Sequence, residues 1–148
     1  MSGRGILPRL VLCGVGFCGL LGACRSDADV VADKLAEGTK VYKDLIEIGQ
    51  RLQTPDGMRQ HSAEFIEGAR RAAKVAEDLA DLVDQGLDET YGQSLDRFER
   101  MMGRFENVMA RVPPEAWDAM PPGDQEKLDG IAARIESAGE RIERGGRD

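Results

Sequence analysis

The only histidine of the 148-residue chain, His61, lies in the run Arg59-Gln60-His61-Ser62-Ala63-Glu64. Side chains three residues apart meet on a helix, and an imidazole beside the Glu64 carboxylate is the beginning of an acid/base pair or a metal site. Either would need further ligands or a nucleophile, and the spacings that supply them (HExxH, paired Glu-x-x-His, CxxCH) are absent. His61 is therefore expected to be an exposed residue near the start of a helix. Met101, Met102, Met109 and Met120 form a second group, and thioether clusters select copper(I). Met102 and Met109, however, fall on an apolar stripe with helical spacing, so core packing is the expectation. The 27 acidic residues contain no spacing that singles out a carboxylate pair for glycoside chemistry, and neither a GxxxxGK phosphate loop nor a GxSxG elbow occurs. These residues point to a protein that is not an enzyme and carries no metal and no cofactor.

One segment stands apart. In Val112-Pro113-Pro114-Glu115-Ala116-Trp117-Asp118-Ala119-Met120-Pro121-Pro122 an apolar residue followed by two prolines occurs twice, eight residues apart, on either side of the only tryptophan. About two helical turns fit between the proline pairs. Trp117 and Met120 on such a short helix either anchor a partner, since interfaces are enriched in tryptophan, or plug the open end of a bundle.

The elements that hold these residues follow from apolar positions recurring at alternating three- and four-residue steps. A first stretch runs through Val31, Leu35, Gly38, Tyr42, Leu45, Gly49 and Leu52, with Ser26, Asp27 or Asp29 as its cap. A second runs through Phe65, Ala69, Ala72, Ala76, Leu79 and Val83, opened by Thr54-Pro55-Asp56, a capping hydroxyl followed by a proline at the first helical position. Gly86 is a stop for it, and Asp88 a cap for the next. The third, Leu87, Tyr91, Leu95, Phe98, Met102, Phe105, Met109 and Val112, ends before Pro113-Pro114; the fourth, Leu128, Ile131, Ile135, Ala138 and Ile142, follows Pro121-Pro122. Gly38 and Gly49 lie on the first stripe, where they allow close packing or leave a small gap. Glu67 with Arg71, Asp96 with Arg100, and Glu140 with Arg144 are expected as exposed pairs four residues apart. No period-two run of β-branched residues argues for strands. The expected fold is all-α: an antiparallel, up-down helical bundle of three to four helices, with a short proline-bounded helix before the last. The alternative is a three-helix coiled coil with the fourth segment folded loosely against it.

The amino-terminal residues set the compartment. Met1 to Arg9 carry two arginines and no acid, and Leu10 to Ala23 is uncharged and mostly apolar, too short and glycine-rich to span a bilayer comfortably. The run closes on Leu21-Gly22-Ala23-Cys24. In this position the motif resembles the lipobox of bacterial lipoprotein signal peptides, a likeness confined to the first 24 residues. The resemblance implies cleavage before Cys24, a diacylglyceryl group on its thiol, and an acyl chain such as palmitate on the new amino terminus. A thiolate is the nucleophile such a transfer needs, and two or more chains give a stable anchor. Arg25 rather than aspartate after the cysteine implies, by the same resemblance, the outer membrane facing the periplasm. The expected organisation is a signal peptide over 1–23, the lipidated cysteine and a short tether over 24–28, a helical bundle domain over 29–145 and a frayed tail over 146–148. Cys13 and Cys18 lie in the signal, so the mature domain is expected to have no free thiol, disulfide or thiolate metal site.

Cleavage would remove two arginines and no acid, moving the net charge from −7 to about −9. That sign argues against nucleic acid, whose phosphates are held by clustered lysine and arginine. The expected function is a membrane-anchored envelope lipoprotein that acts as a noncatalytic protein-interaction or structural module, with another envelope protein as partner. The alternative is a helical bundle that binds a hydrophobic small molecule or lipid between its helices.

Overall fold

The computed structural model describes residues 25–85 and 92–145. The lipobox Leu21–Ala23 with Cys24, the positions Gly86, Leu87, Asp88 and Tyr91, and the tail 146–148 lie outside the described residues. Five helices follow in order: α1 (Arg25–Arg51), α2 (Pro55–Asp84), α3 (Gly92–Met109), α4 (Pro114–Asp118) and α5 (Pro122–Gly145), with no strand among the described residues.

Local chemistry explains where these helices begin and end. At the start of α2, Thr54 is extended and its hydroxyl accepts a hydrogen bond from the Gly57 amide at 3.0 Å, while Pro55 takes the first helical position. This satisfies one of the amides that a helix start leaves unpaired. By contrast, α1 already runs from Arg25, so Ser26, Asp27 and Asp29 lie inside its first turns rather than capping it. Residues 25–28, expected as tether, are therefore helical. After Met109 the chain tightens, with Arg111 N–H donating to Val108 and Val112 N–H to Met109, before Pro113, itself extended, leads directly into α4.

The chain directions alternate along the sequence, as expected of an up-down bundle. α1 and α2 are antiparallel: Lys34 reaches Asp78 at 2.9 Å towards one end and Arg51 reaches Glu64 at 3.4 Å towards the other. α3 lies along α1 in the same direction, Gly38 beside Phe98 and Gly49 beside Val108 and Met109. α5 lies along α2 in the same direction, with Ser62 near Asp124, Glu77 near Arg134 and Asp81 near Arg141. The close packings are thus α3 on α1, α1 on α2 and α2 on α5; α3 and α5 make no comparable approach among the described residues. The two central helices bury the widest faces. Phe65, Leu45, Leu52, Met58, Met109 and Leu128 are all at most 1% exposed.

The glycines on the apolar stripes make close contact rather than gaps. A Cβ at Gly38 would stand 2.6 Å from Phe98 Cε2, and one at Gly68 2.7 Å from Leu45 Cδ2. Gly103, inside α3, has nothing within 4 Å of its missing Cβ. Its only effect is to weaken the helix, so Gly103→Ala is expected to stabilise the fold by about 0.5–1 kcal/mol, read as a higher unfolding midpoint.

Ion pairs stitch the helices along their exposed seams. Arg134 donates two hydrogen bonds to the Glu77 carboxylate, at 2.7 and 2.8 Å, and Arg141 bridges Asp81 and Asp84. The hydrogen bonds from Arg134 hold the Glu77 carboxyl below its ordinary range. Burial pushes Asp78 up, but hydrogen bonds from Lys34 and Lys74 outweigh it and the net shift is down. Lys127 and then Ser62 lower Asp124. Burial raises Glu106, a single opposing case. A carboxyl whose pKa is lower folded than unfolded adds stability above its unfolded value and loses it as pH falls through the folded value. The unfolding midpoint is therefore expected to hold above pH 5 and to fall as the pH drops below about 4, by a smaller amount in Arg134→Gln. A midpoint that stays flat to pH 3 contradicts this.

Candidate interaction site at the α4 end

The turn between α1 and α2, the end of α3, all of α4 and the start of α5 meet at one end of the bundle, opposite Arg25. The Val112–Pro122 segment closes this end: Ala116 is fully buried, Met120 is 3% exposed, and both belong to the core together with Val112, Leu52, Met58 and Leu128. Met120 thus faces inwards. Trp117 is half-buried and packs against the same core, with its Nε1 buried and without a hydrogen-bond acceptor among the described residues. Met102 and Met109 are core residues as well, and Met101 packs against them from the edge.

Side-chain amides and one hydroxyl join the helices here. Gln53 Nε2 donates to the carbonyls of Gly49 and Val108, at 3.1 and 3.2 Å, tying the end of α1 to α3. Gln125 Nε2 donates to the Trp117 carbonyl at 3.3 Å, tying α4 to α5. Ser62, the one buried polar residue among the described residues, donates its hydroxyl to Asp124 Oδ2 at 2.8 Å and joins α2 to the first turn of α5. Ser62 escaped the sequence reading, although its place one turn before Phe65 and Ile66 on the apolar face was the available signal.

A serine, a histidine and an aspartate are therefore near one another, but not in the order a nucleophile requires. The Ser62 hydroxyl donates to Asp124 and not to an imidazole, and it is 2% exposed. His61 sits on the flank of α2 towards α1, half-exposed, its Nδ1 3.3 Å from Glu64 Oε2, which also accepts from Arg51 at 3.4 Å. The expected pairing of His61 with Glu64 is present, with Arg51 as a third member. Among the described residues no group of three or more His, Cys, Asp or Glu side chains is placed to hold a metal ion, and no helix is long and apolar enough to cross a membrane.

No family model, curated protein or solved structure matches the chain. Its functional reading rests on its own residues. Structurally this end is a stitched cap whose outward groups are Pro114, Glu115, Asp118, Pro121 and Pro122, with part of Trp117. That arrangement presents two exposed carboxylates and three prolines on one end of the bundle.

Proposed function

We propose that the chain is a lipid-anchored lipoprotein of the bacterial envelope, a noncatalytic module that holds a rigid helical bundle away from the membrane for contact with another envelope protein. The observation that carries this reading is Leu21-Gly22-Ala23-Cys24 closing an uncharged apolar run behind a basic start. The fold supports it. α1 begins at Arg25, directly after the cysteine, and its 27 residues run the full length of the bundle to the α4 end. A lipid on Cys24 would put the base of the bundle at the bilayer and the α4 end roughly 40 Å away, at 1.5 Å per helical residue. The net acidic domain would stand off anionic headgroups rather than lie on them.

Fractionation of the native host tests the anchor. The wild-type chain is expected almost wholly in the membrane fraction and resistant to extraction by high salt. Cys24→Ser, which keeps the bundle residues intact, is expected either to be released or to be retained as uncleaved precursor. Mature wild-type protein found in the aqueous fraction would overturn the proposal.

A further inference from the structure

We propose that the chain self-associates side by side, the outer face of α3 in one copy docking on the outer face of α5 in a second. α3 carries Arg97, Arg100, Arg104 and Arg111 on and just beyond it, all exposed. At about 100° per residue Arg97, Arg100 and Arg104 share an arc of about 60°, turned away from the buried stripe, with Arg111 following in the turn after α3; Asp96 adjoins this arc on one side, and Glu99 and Glu106 lie farther round on that side. On α5, Asp129, Glu136, Glu140 and Glu143 share an arc of similar width, also turned from the core, while Arg134 and Arg141 point to α2. None of these eight side chains makes an ion pair among the described residues. Lys40, Lys43 and Arg144 make no ion pair among the described residues either, whereas Lys34, Arg51, Arg59, Arg70, Arg71, Lys74, Lys127, Arg134 and Arg141 are paired; what marks the α3 arginines is that they line up on one face. The two i,i+4 pairs expected from the sequence within these stripes, Asp96 with Arg100 and Glu140 with Arg144, are not formed.

The register selects the partner. From Arg97 the arginines follow at steps of three, four and seven residues; counted backwards from Glu143 the acids follow at three, four and seven. An antiparallel α3–α5 contact therefore sets Arg97 against Glu143, Arg100 against Glu140 and Arg104 against Glu136 in one alignment, with Arg111, just past the end of α3, towards Asp129. A parallel contact runs three-four-seven against seven-four-three and misses the inner pairs. Because α3 and α5 already run in opposite directions within one copy, the antiparallel contact leaves both copies pointing the same way, as two chains anchored in one membrane would. Phe98 is level with Gly38, Gly38 with Val75, and Glu77 with Arg134. Setting Arg97 against Glu143 thus slides the second copy by about ten residues, ~15 Å along the axis, a stagger that neighbouring rods take up by leaning. The contact is heterologous, the arginine edge of one copy against the acidic edge of the next. The inference goes beyond the proposed function and rests on these charges and helix directions, not on the lipid.

Sedimentation of the full chain in matched detergent at about 0.02 M salt tests it, since charge pairs are screened over ~3 Å at 1 M and act over tens of ångströms at low salt. The wild type is expected to associate at low salt and to dissociate near 1 M. Reversal of one edge, Arg97→Glu with Arg100→Glu and Arg104→Glu, is expected to weaken association about tenfold or more. Reversal of the other edge, Glu136→Arg with Glu140→Arg and Glu143→Arg, is expected to do the same. A one-to-one mixture of the two variants, or one chain carrying all six changes, is expected to associate again. Circular dichroism keeps the reading clean, because none of the six positions belongs to the buried core. A chain that stays monomeric at low salt, or whose association ignores the reversals, or a mixture that fails to recover, overturns the proposal and leaves the arginine edge to a partner of another kind.

Discussion

Phe65→Ala is expected to cost about 3–5 kcal/mol and to lower the unfolding midpoint by roughly 10–20 °C. Phe65 is fully buried on α2, and its ring stacks on Phe105 of α3 at 6.4 Å and 23°. Phe105 in turn meets Tyr42 of α1 edge-on at 5.5 Å, and Tyr42 meets Phe98 at 5.6 Å. Three helices thus converge on one aromatic column. The cost of a large-to-small change depends on how far the surroundings collapse into the space left behind. Here the flanking helices are fixed in place by ion pairs and by the capped end, so little collapse is available. Chemical denaturation of the variant checks this, and a loss below 1 kcal/mol would mean that the column is not the keystone of α1, α2 and α3.

The second large effect comes from adding one methyl group. Gly57 lies in the first turn of α2, where a Cβ would collide with the backbone carbonyl oxygen of Arg51 and stand 3.1 Å from the Thr54 hydroxyl oxygen. A long side chain could swing aside, but a carbonyl at the end of α1 moves only if the turn between α1 and α2 opens. Opening it also disturbs the Thr54 cap, itself worth about 1 kcal/mol. Helix propensity alone would favour alanine by about 1 kcal/mol, yet Gly57→Ala is expected to destabilise by about 2–3 kcal/mol. Gly103→Ala makes the same chemical change with the opposite expected sign. If both variants moved stability in the same direction, local crowding would not be what distinguishes the two glycines.

Much of this architecture is written in local chemistry. Thr54-Pro55 announces the start of α2, the two proline pairs bracket α4, and the apolar steps assign Tyr42, Phe65, Met102 and Leu128 to buried faces because helical periodicity reports which side leaves water. Periodicity does not report which helix covers a face, so the order α3, α1, α2, α5 had no sequence signal. The same limit applies to charges. Arg71 was expected to pair with Glu67 four residues before it, but it reaches across to Asp44 on α1 at 3.5 Å, and Glu67 pairs with Arg70 instead. Ser62 reads as one more polar residue until the start of α5 is known to place Asp124 beside it. The chain beyond Arg25 towards the lipobox is a different matter. There the proposed signal is a short motif that processing enzymes would read, acting through chemistry on Cys24 rather than through packing.

That chemistry is open to direct measurement. The intact mass of the protein extracted from its native membranes in mild detergent, beside that of Cys24→Ser, tests the anchor at the atom on which it depends. The account predicts a wild-type chain lacking Met1 to Ala23 and carrying the added mass of a diacylglyceryl group with a further acyl chain, an increment that disappears in Cys24→Ser. A wild-type chain with its first 23 residues intact, or cut elsewhere and free of lipid, would contradict it.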